Sequence, residues 1–266
     1  MPMSNTSKYP RLFIADDKVV IIAGYSSENP RKSEILDFSD DANQNQLCQD
    51  WSSLPEKTLG ATGSYFLNKE SALICGGSWA QDECFAIDDS STSLITRMID
   101  GRAYAASIVT SDKYLWVTGG IKDTGLATAT TELIDFERGL SIQGPEMPIA
   151  LASHDITSLS DSVSIITGGR SSDSYYSAST FVYYSEVDVW EQGLSFNEAR
   201  SDHISGIVTE TSTFGQILVV AGGFNGASMD SVELLYFAGQ AKEQWVSGKS
   251  YQIFFNSFFL LIRFFS

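Results

Sequence analysis

Hydrophobic and polar positions along this chain follow a pattern that occurs five times. Each occurrence centres on a short run of β-branched and apolar residues that ends at a glycine step. A recurring period of about 40 to 50 residues predicts a propeller or a solenoid. The spacings here are 52, 43, 49 and 54 residues, which indicates loops of different length on a constant frame. The first glycines of the five steps are Gly24, Gly76, Gly119, Gly168 and Gly222.

The residues around each glycine step predict four short strands per unit. One strand precedes the glycine strand, as in 103–109, and a polar loop and a third strand follow it, as in 131–136. In three units a fourth strand carries a tryptophan, Trp51, Trp190 or Trp245. Four strands joined by tight polar turns are typical of a propeller blade. The glycines and tryptophans are therefore interpreted as scaffold, with the glycines allowing positive φ and close backbone approach.

This pattern resembles the Kelch repeat, which is marked by a Gly-Gly doublet, a later aromatic residue and a tryptophan beyond it. The resemblance covers about residues 11–250. Tyr25 replaces the second glycine of the first repeat, and repeats two and three lack the tryptophan, so those blades are expected to be looser. The resemblance implies an all-β Kelch-type β-propeller, in which the sequence shows five recognisable four-stranded blades and leaves a partial sixth blade open. It also implies a non-enzymatic protein-binding role, as a scaffold or adaptor, in substrate recognition for a ubiquitin ligase, or in cytoskeletal binding.

The two ends of the chain differ from the repeats. Residues 1–10 are predicted to be disordered and lack the apolar core of a secretory signal, so the cytoplasm is the expected compartment. In residues 251–266 an apolar run begins, but it is shorter than the roughly 20 residues of a membrane span. Two interpretations stay open for this tail. It is either part of a sixth blade with Asn256-Ser257 as its turn, or a non-native end from a truncated or misread gene.

The charge balance excludes some classes of partner. The chain has 33 acidic and 17 basic residues, for a net charge of −16, and no basic cluster. Nucleic acid and anionic membranes are therefore not expected partners. The three cysteines, Cys48, Cys75 and Cys84, are too few for a disulfide framework and lack zinc-site spacing. They are interpreted as buried or idle thiols, and whether Cys75 and Cys84 pair is left open.

Catalytic chemistry has few candidate residues in this sequence. The two histidines, His154 and His203, occupy equivalent positions in consecutive repeats. The alternative function is therefore a propeller enzyme that acts on a sugar or holds a metal through these two side chains. Carboxylates are plentiful, but no pair of them stands out as a general acid and base. The sequence thus predicts no catalytic residue, no cofactor and no metal.

A partner-binding surface is predicted from the topology of a blade. In an up-and-down meander, the loops between second and third strands share one edge with the links between blades. Aromatic and arginine side chains dominate interface energetics. Basic residues gathered there would form a positive patch suited to an acidic peptide. Arg102 and Arg200 have an alternative interpretation, that they tie neighbouring blades together. The candidate residues are Arg31, Trp79, Lys122, Arg170, Tyr175, Tyr176, Phe224 and Asn225 in the loops, with Arg102 and Arg200 in the links.

Overall fold

The computed structural model shows an all-β chain. Its regular elements are β-strands, apart from a single short 3-10 turn at Leu67–Lys69 within the described ranges. The chain is divided into two compact units, unit one (residues 1–152) and unit two (residues 153–266). The described residues are 11–15, 18–22, 33–37, 49–54, 59–78, 82–173, 175–210, 215–237, 245–249, 254–255 and 258–259.

Unit one contains three antiparallel sheets, each with four strands in chain order. The first sheet is formed by β1 (Arg11–Ala15), β2 (Lys18–Ile22), β3 (Ser33–Asp37) and β4 (Gln49–Trp51). The second is formed by β5 (Thr62–Phe66), β6 (Ser71–Cys75), β7 (Glu83–Ile87) and β8 (Thr92–Arg97). The third is formed by β9 (Ala106–Thr110), β10 (Tyr114–Thr118), β11 (Thr131–Asp135) and β12 (Leu140–Gln143).

Unit two contains two sheets of the same kind and a short strand pair. The fourth sheet is formed by β13 (Asp155–Ser160), β14 (Val163–Thr167), β15 (Thr180–Tyr184) and β16 (Val189–Gln192). The fifth is formed by β17 (Ile204–Glu210), β18 (Gly215–Ala221), β19 (Ser231–Phe237) and β20 (Trp245–Lys249). The strand pair is formed by β21 (Phe254–Phe255) and β22 (Phe258–Phe259).

Burial follows the position of a strand within its sheet. The second strands are largely buried: all five residues of β6 are buried, and so are four of five in β10 and β14. Their near-continuous apolar runs match strands that are covered on both faces. The fourth strands β12 and β16 have no buried residue. The predicted arrangement of four strands around each glycine strand is therefore confirmed for the described sheets.

Apolar side chains pack between neighbouring sheets inside each unit. In unit one, Leu73 and Cys75 of the second sheet share a buried cluster with Leu115 and Val117 of the third. In unit two, a cluster joins Ile165 of the fourth sheet to the fifth sheet. Trp245 belongs to that cluster and donates from its indole Nε1 to the Leu194 carbonyl at 2.8 Å. The scaffold role predicted for this tryptophan agrees with these contacts.

Two glycine doublets show why the repeat requires glycine. Gly120 and Gly223 have φ values of 98° and 106°, where most other residues are strained. A Cβ atom on Gly120 would lie 2.8 Å from the Ala103 carbonyl oxygen, and one on Gly223 would lie 2.7 Å from that of Ser201. The backbone of each doublet thus passes directly against the link that enters its own sheet.

The cysteine interpretation needs correction. Cys75 and Cys84 are register partners on β6 and β7, and their sulfurs form a disulfide within the buried core of unit one. They are therefore not idle thiols. Of the predicted tail, 251–266, the structure describes only β21 and β22, which pair with each other. Residues 1–10, the first glycine step at Gly24-Tyr25 and Cys48 lie outside the described residues.

Candidate functional site at the loop edge

Loops and links meet at one edge of the sheets in each unit, here called the loop edge. In unit one, Ala103 of the link before β9 forms a β-bridge with Ile121 of the loop after β10. In unit two, Ser201 of the link before β17 bridges Phe224 of the loop after β18. Each bridge joins a link to the second-to-third loop of the sheet that follows it. This adjacency agrees with the meander topology predicted from the sequence.

Arg102 and Arg200 lie at this edge but are buried, with 1% and 0% of their surface exposed. The expectation that they contact a partner is therefore wrong, since neither side chain is accessible. Their backbone carbonyls accept hydrogen bonds from Gly77 at 3.0 Å and Gly169 at 2.8 Å, in the sheet before each link. Their guanidinium groups bond to the sheet after it. The alternative interpretation, a tie between neighbouring sheets, describes both residues.

Each of these arginines is held by a buried glutamate on the third strand of the following sheet. Arg102 Nη2 donates to Glu132 Oε1 at 2.6 Å, and Arg200 Nη2 donates to Glu233 Oε1 at 2.7 Å. Both guanidinium groups also donate through Nη1 to the carbonyl of the first glycine of the following doublet, Gly119 at 3.0 Å and Gly222 at 2.9 Å. We call each such Arg–Glu pair a clasp.

The loop edge of unit one offers little positive charge. The Lys122 ammonium donates to Asp100 Oδ2 at 2.8 Å, and this bond is the main reason that the pKa of Asp100 lies below its ordinary value. The positive charge expected at this edge is therefore reduced in unit one, because Lys122 is ion-paired and Arg102 is buried. Leu126, in the same loop and 57% exposed, was missed by the sequence analysis. Arg31 and Trp79 lie outside the described residues.

The loop edge of unit two brings together the remaining predicted residues. Arg170 forms a β-bridge with Tyr176, and the Tyr176 ring meets the Phe224 ring edge-on with centroids 5.9 Å apart. Tyr175 is 75% exposed and Phe224 39% exposed, while Arg170 and Tyr176 are half-buried. Asn225 is exposed beside Phe224. We call Arg170, Tyr175, Tyr176, Phe224 and Asn225 the aromatic patch.

Three aspartates lie on the loops of the aromatic patch or on the link that bridges one of these loops. Asp173 lies in the turn that the Ser171 amide closes on the Tyr175 carbonyl at 3.1 Å. Asp202 follows Ser201, whose hydroxyl donates to Asp202 Oδ2 at 2.8 Å and whose backbone pairs with Phe224. Asp230 ends the loop that contains Phe224, and all three aspartates are exposed. Among the described residues, no ion pair neutralises any of the three. The sequence analysis did not single out these carboxylates, because they resemble ordinary turn residues.

The two histidines lie in unit two and are both buried. Nε2 of His203 lies 2.9 Å from Thr167 Oγ1, and its ring packs edge-on against Phe196. Burial is the main cause that lowers the pKa of His203 to about 3, and the charges of Arg200 and His154 lower it further. The Thr167 bond already occupies one nitrogen of His203. Within the described part of the chain, no cluster of three or more His, Cys, Asp or Glu side chains suits a metal ion.

The described residues also contain no helix of the length and apolarity that a membrane span requires.

Comparisons with known proteins identify a similar fold but no family. No protein-family model matches the chain, and no curated protein matches it.

A solved structure, that of YjhT, is similar to the chain with a TM-score of 0.76 and 14% sequence identity. The alignment covers 94% of this chain and 87% of that one. At this sequence identity, the similarity is evidence for the fold but not for a function. Together with the four-stranded antiparallel sheets, this similarity supports a β-propeller-like all-β architecture for the chain.

Proposed function

We propose that the chain is a Kelch-type β-propeller of five blades that works as a non-enzymatic protein-binding module, a scaffold or adaptor. The observation that carries this proposal is the aromatic patch of unit two. Exposed Tyr and Phe side chains on neighbouring loops, above a rigid sheet scaffold, are a common arrangement for binding residues. Tyr175 in particular is 75% exposed and gains little from the fold of its own chain.

Energetics favour a protein partner for this patch. A buried aromatic side chain removes roughly 150–250 Å² from water, so a few such residues dominate a typical interface. The Tyr176–Phe224 ring contact fixes the two neighbouring loops relative to each other. A partner would then meet two loops that already contact each other through these rings, which lowers the entropy lost on binding.

Affinity capture with quantitative mass spectrometry tests the proposal. The intact chain is compared with two variants, a Tyr175→Ala/Phe224→Ala double variant and a quadruple variant that adds Arg170→Ala and Tyr176→Ala. Partner recovery should fall by at least about tenfold in both, in line with the loss of two hot-spot residues. Phe224→Ala also removes the contact with the Tyr176 ring, which is worth about 0.5–1.5 kcal/mol, so urea unfolding of the double variant should show a midpoint only slightly below that of the intact chain.

A matched control removes apolar surface elsewhere in unit two. Val187 and Val189 are 67% and 44% exposed and lie at the turn between β15 and β16, which is at the opposite edge from the loops. A Val187→Ala/Val189→Ala variant should recover partners as the intact chain does. Equal recovery by the intact chain and the Tyr175→Ala/Phe224→Ala variant would remove the aromatic patch as the binding surface.

A further inference from the structure

The loop edge of unit two has a strong charge imbalance. Residues 170–178, 198–203 and 224–233 contain five carboxylates and two guanidinium groups. Glu233 neutralises Arg200 inside the clasp, and Glu198, 54% exposed, lies 3.6 Å from the same guanidinium. The charge left facing solvent is therefore dominated by Asp173, Asp202 and Asp230, against the half-buried Arg170.

Asp173 and Asp230 lie on the two loops that carry the aromatic rings, and Asp202 lies on the link that bridges one of these loops. The Ser171–Tyr175 hydrogen bond keeps Asp173 in the same tight turn as Tyr175. The bridge between Ser201 and Phe224 places Asp202 at the base of the Phe224 loop. Asp202 has a φ of 53°, and backbone hydrogen bonds hold this conformation. Among them, the Asp202 amide donates to the Ser153 carbonyl at 2.9 Å.

From this combination we infer that the aromatic patch binds a protein segment rich in lysine or arginine. This inference rests on the proposed function and narrows its partner class. Aromatic ring faces attract cations within about 6 Å. Exposed carboxylates on the same loops and link, which form no ion pair among the described residues, would add direct ion pairs to a basic segment, and like-charge contact disfavours an acidic segment. The net charge of −16 also attracts a basic segment at longer range.

Fluorescence polarisation with three labelled synthetic peptides tests the inference. The peptides are 12 residues long by design, are identical in Gly, Ser and Phe positions, and differ only at four sites, which are all Arg, all Gln or all Glu. The Arg peptide should bind the intact chain at least about tenfold more tightly than the Gln peptide, and the Glu peptide should bind most weakly. Raising the salt concentration should reduce this preference.

Two triple variants separate local from global charge. Asp173→Asn/Asp202→Asn/Asp230→Asn should lose the preference for the Arg peptide. The control Asp161→Asn/Glu186→Gln/Glu191→Gln removes the same number of exposed carboxylates from unit two, away from the loop edge, and should keep it. Equal losses in both variants would overturn the inference, because only total charge would then matter. Absence of Arg-peptide binding up to about 1 mM, or tighter binding of the Glu peptide, would overturn it as well.

The outcomes distinguish this inference from the proposed function. One outcome is that Tyr175→Ala/Phe224→Ala abolishes partner capture while Asp173→Asn/Asp202→Asn/Asp230→Asn leaves the peptide preference unchanged. In that case the aromatic patch binds protein, but its preference for a basic segment is wrong. If capture survives the aromatic double variant, the patch itself fails as a binding surface.

Discussion

Glu233 is the residue whose neutralisation should most weaken unit two. Its side chain and that of Arg200 have no exposed surface, and its two carboxylate oxygens accept four hydrogen bonds. Besides Arg200, the donors are the backbone and side-chain nitrogens of Asn197 and the amide of Glu198, at 2.8, 2.9 and 3.1 Å. Glu233→Gln keeps the size of the side chain but leaves a buried guanidinium without its nearest counter-charge.

The expected loss of unfolding free energy is about 3–5 kcal/mol, as for other buried pairs that lose one partner. Glu198 cannot replace the missing charge, because it lies 3.6 Å from Arg200 and is 54% exposed. A loss of this size is a large part of the roughly 5–15 kcal/mol that stabilises a typical domain.

Urea denaturation with linear extrapolation measures this loss. Glu198→Gln is the matched control, and it should change the unfolding free energy by less than about 1 kcal/mol because its pairing with Arg200 is exposed. An Arg200→Met/Glu233→Met variant, which removes both buried charges, should recover part of the stability lost in Glu233→Gln, since the Asn197 and Glu198 amides then lack the Glu233 acceptor. If Glu233→Gln costs no more than Glu198→Gln, the clasp does not stabilise the fold as argued.

Three further perturbations address other parts of the structure. The pKa of His203 is about 3 in the folded chain against 6.5 for the free side chain, so the unfolded chain binds more protons between these values and acid destabilises the fold. His203→Gln should weaken this pH dependence. Between pH 7 and 5, urea titrations should show the intact chain losing on the order of 2 kcal/mol more unfolding free energy than the variant. Parallel pH profiles of the two proteins would contradict this. Gly168→Ala should lower stability by about 2–3 kcal/mol, because its φ is 56° and a Cβ would lie 2.6 Å from a backbone carbonyl oxygen. Gly206→Ala, with nothing within 4 Å, should leave thermal unfolding unchanged or slightly raised. Alkylation of the denatured chain without reductant should label one of the three cysteines by intact mass, since Cys75 and Cys84 are paired; labelling of all three would contradict the pairing, and an oxidised pair in cells would indicate an oxidising compartment.

The sheet order could be predicted from the sequence because it depends on local signals. An apolar run that ends in two glycines, such as 115–120, identifies a second strand by itself, and the strands around it follow from turns and alternation. The loops that carry Tyr175 and Phe224 could be located for the same reason, since they follow directly from the strand boundaries. That their rings meet, with centroids 5.9 Å apart, required the twist and spacing of two adjacent sheets.

The sequence left two roles open for Arg102 and Arg200, partner contact or a tie between neighbouring blades, and could not decide between them. Arginine is rarely buried completely, so from the sequence alone Arg102 and Arg200 are expected to be exposed and able to contact a partner. Their burial depends on Glu132 and Glu233, which lie about 30 residues further along on a strand of the next sheet. A signal did exist, since each glutamate stands directly before two apolar residues of its third strand, Leu133-Ile134 or Leu234-Leu235. The ion pair of Lys122 was not predicted for a similar reason, because its partner Asp100 lies in the preceding link.

The clasps have a consequence for how this chain can be cut and rejoined. Each clasp joins an arginine in the link after one sheet to a glutamate in the next sheet. The segment that a clasp stabilises therefore begins in the link and does not coincide with a single four-stranded sheet. New termini placed between Arg102 and β9, or between Arg200 and β17, would separate the arginine from the strands that hold it. Circular permutants opened at the exposed turn between β13 and β14, near Asp161, would leave both clasps intact. Transplanted modules should likewise run from one such turn to the next, across the link.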